Sequence, residues 1–320
     1  MSKQITGIHH ITAIAGDPQT NVDFYAGVLG LRLVKLTVNF DDPGTYHLYY
    51  GDGMGHPGTI LTFFPWPQAS KGRRGTGQVT ETAFAIPENA IGYWTSRLAE
   101  AKVAFRGPFE RFGEQVIAFA DPDGMLVELV GSKTAPIDRA YEGGRVPLEF
   151  AIRGFHSAAL CEGDERETAA LLTDTMGFQL VAQEGNRLRY MIGTGGPASL
   201  VDVIRAPEER RGRVVVGTVH HIAWRTPTDE QQGEWLEELT RLKYDVSPVM
   251  DRKYFHSIYY REPGGILFEI ATDPPGFAID EPQAELGTHL VLPEWLEPVR
   301  ARLEATLPPL RLPGTAVEAR

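Results

Sequence analysis

The sequence predicts an α+β protein in which four βαβββ modules follow one another in tandem. Three observations support this prediction: four apolar strand-like segments open the modules, four close them, and the distance between the two is nearly constant. Similar segments at a fixed spacing are the signature of an internal repeat. The opening segments are Gly7–Ala15, Val79–Ile86, Gly154–Leu160 and Thr218–Arg225, and the closing segments are Gly58–Phe64, Gly124–Val130, Ala198–Ile204 and Gly265–Ala271.

The spacing is counted from a reference residue in the opening strand of each module to a reference residue in the closing strand of the same module. It is 52 residues in module one, 46 in modules two and three, and 48 in module four. A single module would leave the apolar face of its sheet exposed, so we expect modules to pair into curved open-barrel sheets around a cavity. The reference pairs are His10 and Thr62, Thr82 and Glu128, His156 and Asp202, and His221 and Glu269.

Each module repeats one order of elements. In module one, apolar residues at helical spacing predict a helix over Asp17–Leu29, and Gly30 follows as a C-terminal stop. Three short strands come next, over Arg32–Asn39, Thr45–Gly51 and Gly58–Phe64, with Gly, Pro and Asp between them. The corresponding helices of the other modules are predicted near Glu88–Ala101, Glu165–Met176 and Thr228–Leu242.

A segment with the composition of a linker, Gly131–Pro147, divides the chain. It predicts an N-terminal domain over residues 1–135, with modules one and two, and a C-terminal domain over residues 136–275, with modules three and four. The remaining residues, 276–320, are rich in proline and predict a tail with one short helix near Pro293–Leu303.

Composition narrows the partners and the compartment. The chain of 320 residues has a net charge of −11, which lacks the basic footprint of a nucleic-acid-binding protein. No apolar run approaches the roughly 18 residues of a membrane span, and the first residues lack the apolar core of a signal peptide. The single cysteine, Cys161, excludes an intrachain disulfide. These features predict a soluble cytoplasmic protein that binds neither nucleic acid nor membrane.

Adjacent histidines occur at the same place in two opening strands, as His9-His10 in module one and His220-His221 in module four. Successive side chains of a strand point to opposite faces, so one histidine of each pair should face inward. If the two strands are neighbours, two imidazoles share one wall of a cavity, which predicts the base of a metal site. The alternative is that each is a hydrogen-bonded histidine of the core.

The repeated βαβββ unit, with a histidine on its first strand and a carboxylate on its last, resembles the vicinal-oxygen-chelate superfamily. That superfamily includes glyoxalases, extradiol dioxygenases and antibiotic-binding resistance proteins. Four modules in one chain resemble the extradiol-type ring-cleaving dioxygenases, and the hydroquinone-cleaving branch most closely. The resemblance covers about Thr6–Asp273 and rests on Ile8–Thr12, Tyr46–Tyr50, Pro57–Thr59, Arg153–Ser157, Gly185–Arg187, His220–His221 and Pro263–Glu269.

The resemblance implies that His10, His221 and Glu269 are metal ligands. Two imidazoles and one carboxylate suit Fe(II), and the same ligands accept Mn(II). The implied reactants are a small aromatic substrate, either a hydroquinone or a catechol, and dioxygen. Pairing of modules inside one chain removes the need for a dimer and does not forbid a homo-oligomer.

Five further residues receive candidate catalytic roles. The resemblance implies that His9 and His220 hydrogen-bond around the cavity or move protons, although strict alternation turns both side chains away from the metal. It implies that Tyr259 donates a hydrogen bond to substrate or oxygen. Arg252 precedes the strand of Tyr259, in a loop shorter than that of the family. Thr12 lies on the ligand-bearing face of its strand and is expected to contact bound ligand.

Two other functions stay open on the same scaffold. One is a metal-dependent isomerase or lyase of the glyoxalase type, and the other is a non-catalytic protein that binds a drug or another aromatic ligand. A second site is also open, because pairing module two with module three collects Thr82, Glu128, His156 and Asp202. This set either binds a metal or is the relic of such a site.

Overall fold

The structure is a computed structural model that describes residues 3–313. Within these residues the strands form two curled half-barrel sheets of eight strands each. The predicted architecture of four tandem βαβββ modules in the vicinal-oxygen-chelate fold is confirmed. Of the predicted tail, residues 314–320 lie outside the described part of the chain.

Modules one and two occupy the first half of the chain. Module one contains β1 (Ile8–Ala15), α1 (Pro18–Val22, continued by a π-helical segment, Asp23–Val28), β2 (Arg32–Val38), β3 (Tyr46–Gly51) and β4 (Ile60–Pro65). Module two contains β5 (Gln78–Pro87), α2 (Ile91–Glu100, preceded by a 3-10 turn at Glu88–Ala90), β6 (Phe105–Arg111), β7 (Glu114–Ala120) and β8 (Leu126–Ser132).

Modules three and four follow a connection that holds one 3-10 turn, Ile137–Arg139. Module three contains β9 (Phe155–Glu162), α3 (Arg166–Ala170, continued by a π-helical segment, Leu171–Thr175), β10 (Gln179–Glu184), β11 (Arg187–Met191) and β12 (Leu200–Arg205). Module four contains β13 (Thr218–Thr226), α4 (Asp229–Arg241), β14 (Met250–Asp251), β15 (Phe255–Arg261) and β16 (Leu267–Pro275).

The first and last modules share one sheet. Its strand order is β14-β15-β16-β13-β1-β4-β3-β2, and β1 pairs with β13 in antiparallel direction at the centre. The other sheet has the order β10-β11-β12-β9-β5-β8-β7-β6 and joins module three to module two. The boundary near residue 135 therefore separates modules along the chain, whereas each sheet combines one module from either side of it.

The helices begin and end within three residues of the predicted positions because their end signals are local. Asp17 caps α1, where its side chain accepts a hydrogen bond from the backbone N–H of Thr20 at 2.7 Å. Thr228 caps α4 in the same way, with Gln231 as donor. In modules one and three the second half of the helix is π-helical. Apolar spacing alone does not show this widening of the turn.

The tail helix, α5, spans Arg300–Thr306 and begins later than the range predicted near Pro293–Leu303. Pro298 lacks a backbone N–H and its ring crowds the preceding turn, so only a 3-10 turn forms over Glu297–Val299. Leu307 is extended, as expected of a residue that precedes a proline, and it ends the helix.

The tail packs along the edge strand of the first sheet. Lys35 of β2 is fully buried and pairs with Asp280, at 2.6 Å, and with Glu281. The backbone N–H of Val291 donates to the carbonyl of Leu36 at 2.9 Å. A buried ammonium ion needs such partners, so the tail completes the outer edge of module one. Among residues 3–313, no helix is both long and apolar enough to span a membrane.

Candidate metal centre

Three buried side chains from the central strands of the first sheet converge. His10 lies on β1, His221 on the neighbouring β13, and Glu269 on β16, which pairs with β13 in parallel. The Nε2 atoms of the two histidines are 3.3 Å apart, and Glu269 Oε2 lies 3.3 Å from His10 Nε2 and 2.9 Å from His221 Nε2. Within the described chain this is the one cluster of three or more His, Cys, Asp or Glu ligand atoms that lie within 4.8 Å of one another.

The triangle has the size that a divalent metal ion requires. Metal–ligand bonds of about 2.1 Å place neighbouring ligand atoms about 3.0 Å apart in octahedral geometry and about 3.4 Å apart in tetrahedral geometry. Glu269 Oε2 is buried and has no hydrogen bond of good geometry within the described residues. The cluster therefore takes up a cation, either a proton or a metal ion, and its donor set of two imidazoles and one carboxylate fits Fe(II) or Mn(II).

The charge states of the cluster suit a metal site. Burial lowers the pKa of His221 below its ordinary value, although Glu269 opposes that shift. Burial alone would raise the pKa of Glu269, but His10 and His221 outweigh it and hold this pKa well below its usual range. The second oxygen of Glu269, Oε1, accepts a hydrogen bond from Ser257. The carboxylate is thus ionised and fixed in orientation, with Oε2 left for a cation.

His9 and His220 do not obey the strict alternation expected of a strand. In the β1–β13 ladder, Ile8 pairs with Trp224 and His10 with Ala223, which leaves His9 without a partner. Thr12 pairs with His221 and Ala13 with Val219, which leaves His220 without a partner. Each is the extra residue of a β-bulge, and a bulge re-aims a side chain. The expectation that both face away from the metal ligands is therefore wrong.

A chain of hydrogen bonds assigns the tautomer of His10. His9 Nε2 lies 3.1 Å from the carbonyl oxygen of Thr272, which only accepts, so His9 carries its proton on Nε2. Burial lowers the pKa of His9 well below 6.5, so its Nδ1 is bare and accepts from His10 Nδ1 at 2.9 Å. A neutral His10 then has its lone pair on Nε2, the atom that faces Glu269.

In the second histidine pair the two Nδ1 atoms are also in contact, but the remaining side of the outer ring, His220, has different surroundings from that of His9. His220 Nδ1 lies 2.7 Å from His221 Nδ1. Burial lowers the pKa of His220 to about 3, so its ring is neutral. In contrast to His9, His220 lines the cavity next to the cluster. The imidazole of His221 therefore contacts a second imidazole that also lines the cavity.

The cavity beside the cluster has a volume of about 330 Å³ and is called the metal-site cavity below. Its walls are largely aromatic, which suits a single-ring ligand. Thr12, Tyr259 and Arg252 all lie on its wall, as does Asp41, which the sequence did not suggest. The remaining lining residues are His10, Asn39, Phe40, His47, Tyr49, Phe64, Trp66, His220, His221, Phe255 and Leu267.

Tyr259 and Arg252 form a hydrogen-bonded pair in the cavity wall. Arg252 Nε donates to the Tyr259 hydroxyl at 3.1 Å, and its Nη1 contacts Asp41 at 3.1 Å. Burial raises the pKa of Tyr259, so the phenol keeps its proton. Burial alone would lower the pKa of Arg252, but Tyr259 and Asp41 raise it, so the guanidinium stays charged. The short loop before β15 therefore still places Arg252 beside Tyr259.

Module one has a threonine, Thr62, where module four has the carboxylate Glu269, and His47 contacts this threonine. Thr62 occupies the position of Glu269, and its Oγ1 lies 2.9 Å from Thr12 Oγ1 and 2.8 Å from His47 Nε2. Burial lowers the pKa of His47 well below 6.5. Sequence reasoning missed His47 and Ser257. Their signal was position, since His47 lies on the strand next to Thr62 and Ser257 lies two residues before Tyr259 on the same strand face.

The equivalent positions of the second sheet are occupied by ion pairs. Glu128 accepts from Arg111 at 2.6 and 3.0 Å, and Asp202 accepts from Arg189 at 2.8 Å and from Arg187 at 3.0 Å. His156 Nε2 lies 3.2 Å from Glu114, and the buried Thr82 hydroxyl has no partner among the described residues. Guanidinium groups here supply the positive charge that a metal would supply, which favours a relic over a second metal site.

Comparison with known proteins agrees with the fold and the site. The model of the glyoxalase/bleomycin resistance protein/dioxygenase superfamily matches residues 7–129 and 154–270. MhqO of Bacillus subtilis (strain 168), which is named as a ring-cleaving dioxygenase, is 49% identical over 312 residues, which cover 98% of this chain and 99% of that protein. The chlorohydroquinone/hydroquinone 1,2-dioxygenase of Sphingobium indicum is 34% identical over 313 residues, which cover 96% of this chain and 97% of that protein.

Solved structures give the same picture. A crystal structure of a Bacillus subtilis protein named as a dioxygenase superposes with a TM-score of 0.92 at 48% identity, and the match covers 97% of this chain and 99% of that one. Glyoxalase I from Zea mays shares the fold alone, with a TM-score of 0.63 at 14% identity over 85% of this chain and 93% of its own. The resemblance predicted from the repeated modules and the paired histidines is thus confirmed, and the chain belongs to the glyoxalase/bleomycin resistance protein/dioxygenase superfamily.

Proposed function

We propose that the protein is a metal-dependent, extradiol-type ring-cleaving dioxygenase that acts on a hydroquinone or a catechol. The observation that carries this proposal is the buried triangle of His10, His221 and Glu269 at one wall of an aromatic cavity. A metal ion held by three protein ligands would have further coordination positions for substrate and dioxygen. The names of the relatives at 34–49% identity support the same reaction class.

Fe(II), or Mn(II) in its place, would be held by His10, His221 and Glu269 and would supply the centre at which dioxygen and an ionised ring oxygen react. Fe(II) persists in a reducing compartment, which agrees with the cytoplasmic location expected from the single cysteine. His9 positions His10, because its hydrogen bond holds Nε2 of that ring toward Glu269.

Tyr259 and Arg252 orient the substrate in this proposal. The Tyr259 hydroxyl accepts from Arg252, so its own proton is free to be donated to a substrate oxygen. The positive charge of Arg252 also favours the ionised form of a ring hydroxyl nearby. Asp41 holds Arg252 in place from the opposite module.

His220 is the proposed proton carrier. It is neutral, lines the metal-site cavity and contacts a ligand histidine through Nδ1, so its Nε2 is the atom available to substrate. Thr12 lies at the same wall and is held by Thr62. The aromatic rings of Phe40, Phe64 and Trp66 complete the cavity and limit the access of water.

The test is oxygen uptake by protein loaded with Fe(II) without air. After addition of hydroquinone or catechol and then of oxygen, we expect one dioxygen consumed per ring opened. The Glu269→Gln variant should consume none. Full iron occupancy without oxygen uptake on any dihydroxybenzene would contradict the proposal. Isomerisation of a thiol adduct by nickel- or zinc-loaded protein would then favour the glyoxalase-type reaction, and tight aromatic binding without turnover would favour a binding protein.

A further inference from the structure

A second cavity adjoins the metal-site cavity. It has a volume of about 250 Å³ and is called the side cavity below. The two cavities share four wall residues, namely Trp66, His220, His221 and Leu267. The proposed reaction does not use the side cavity, although these four side chains line both cavities.

The side cavity contains a buried amide without a partner. Gln78, at the start of β5, is 3% exposed and lines the cavity, and neither its Nε2 nor its Oε1 has a hydrogen-bond partner among the described residues. Buried polar groups are nearly always hydrogen-bonded, because an unmade bond costs stability. The amide packs so closely on Gly212 that a Cβ there would lie 2.1 Å from the amide carbon. Gln78 is therefore fixed where a bound polar group would meet it.

Two guanidinium groups make this region positive within a chain of net charge −11. Arg261 is exposed and lines the side cavity, and within residues 3–313 it makes one side-chain hydrogen bond, from Nη1 to the carbonyl of Gly265 at 2.9 Å, which uses one of its five N–H donors. Arg211 binds the neighbouring carbonyl of Gly264 at 3.2 Å. An arginine with unused donors and a buried amide in the walls of one cavity are the kind of groups that recognise a carboxylate.

Two carboxyl groups lie under the same turn, and neither forms an ion pair with Arg261 within the described residues. Glu262 accepts from the backbone N–H groups of Gly264 and Ile266 and from the Thr168 hydroxyl, so its oxygens are fully engaged. Glu162 is buried against it, and burial together with Glu262 raises the pKa of Glu162 to about 8. Glu162 is therefore largely protonated and neutral at pH 7.

The proposed reaction converts a neutral molecule into an anion. Both atoms of one dioxygen molecule are added to hydroquinone, and no other reactant is consumed or released. The bond between a hydroxyl-bearing ring carbon and its neighbour breaks, and the two carbons become a carboxylic acid and an aldehyde. The acid then loses its proton at neutral pH. A positive subsite beside the metal-site cavity thus matches the product and has nothing to recognise in the uncharged substrate.

We propose that the side cavity binds the carboxylate of the ring-opened product, with the Gln78 amide and the Arg261 guanidinium as hydrogen-bond donors. This inference rests on the proposed function. A carboxylate substituent on an aromatic substrate would present the same chemistry, so the experiment must separate the two sources.

The first arm measures binding without turnover. The probe is cis,cis-muconate, an unsaturated dicarboxylate with six carbons, titrated calorimetrically into metal-loaded protein. Loss of a charge-assisted hydrogen bond should weaken binding by roughly tenfold in Arg261→Gln, and Gln78→Leu should weaken it in the same direction. The matched control is Arg241→Gln, which removes an exposed arginine from α4 and should leave the affinity unchanged. Thermal unfolding of each variant shows whether it folds.

The second arm uses 2,5-dihydroxyphenylacetate as a substrate with an acidic substituent. If Arg261→Gln raises the KM for this substrate while muconate affinity stays constant, the cavity binds a substrate substituent and the product assignment is overturned. Equal muconate affinity in all folded variants, with no change in that KM, would overturn the carboxylate site altogether. Muconate binding that depends on Arg261 in a protein without oxygen uptake would refute the proposed function and retain the site.

Discussion

His9 and His220 occupy matching β-bulges in the two central strands of the first sheet. Each is the residue that the β1–β13 ladder skips, and each places its Nδ1 against the Nδ1 of the next histidine in sequence. His9 then ends on the carbonyl of Thr272, whereas His220 lines the metal-site cavity. Although their local geometry is the same, we expect His9 to fix the orientation of a ligand histidine and His220 to exchange a proton with the substrate.

This difference predicts separable effects of substitution. His9→Leu removes the acceptor of the His10 Nδ1 proton, so the affinity for Fe(II) should fall by roughly 10–100-fold. His220→Leu should lower kcat by roughly 100-fold or more at full iron occupancy, because it removes a proton carrier. Iron titration and oxygen uptake on the same preparations measure both effects. Equal loss of iron in the two variants would contradict the division of roles.

We expect substitution of a candidate ligand to remove iron from the protein, and substitution of the equivalent residue in the second sheet to leave the iron content unchanged. Glu269→Gln keeps the shape of the side chain and removes its charge, so purified protein should lose nearly all its iron. Glu128→Gln changes the equivalent residue of module two, which binds Arg111, and should keep iron at the wild-type level. Elemental analysis of both proteins makes the comparison. Iron that disappears from the Glu128 variant while the fold persists would place a metal in the second sheet.

Removal of the Tyr259 hydroxyl should slow the reaction and leave the iron content of the protein unchanged. Tyr259→Phe deletes a half-buried hydroxyl that Arg252 orients, and kcat/KM should fall about 10–100-fold, equivalent to about 1.4–2.7 kcal/mol of transition-state stabilisation. The control is Asp41→Asn, which keeps the hydroxyl and only loosens Arg252, so its loss should be smaller. Steady-state kinetics at matched iron content provide the comparison, and a Tyr259→Phe enzyme as active as the wild type would exclude the hydroxyl from the mechanism.

Glu162 predicts a pH dependence of stability. Its pKa is raised to about 8 in the folded protein, above the ordinary value of 4.5, by burial and by Glu262. Between these two values the folded state binds more protons than the unfolded state, so this residue destabilises the fold progressively as the pH rises from about 5 to about 8. Glu162→Gln removes the ionisation and should raise the Tm at pH 9 relative to wild type by more than at pH 5. Equal differences at both pH values would show that Glu162 is not protonated in the fold.

The modular plan follows from the amino-acid sequence alone, because the signals for it are local. The alternation of strands, the caps at Asp17 and Thr228 and the glycine-rich turns act within a few residues. The nearly constant spacing also placed His10, His221 and Glu269 at equivalent positions of their modules, and the family resemblance implied that these three are a ligand set. The structure brings these three together, while their role as ligands stays a prediction.

The surroundings of these three residues depend on the three-dimensional fold. The bulges at His9 and His220 are properties of a ladder between strands more than two hundred residues apart, so no window of sequence shows them. The ion pair between Asp41 and Arg252 likewise depends on which distant segments line the same cavity. The same is true of the position of the Gln78 amide in the side cavity. In the second sheet, Arg189 pairs with a carboxylate on the neighbouring strand, and Arg111 with a carboxylate two strands away. Which residues meet across a sheet is not encoded locally in the sequence. This pairing gives the first sheet a candidate metal centre and the second sheet ion pairs at the equivalent positions.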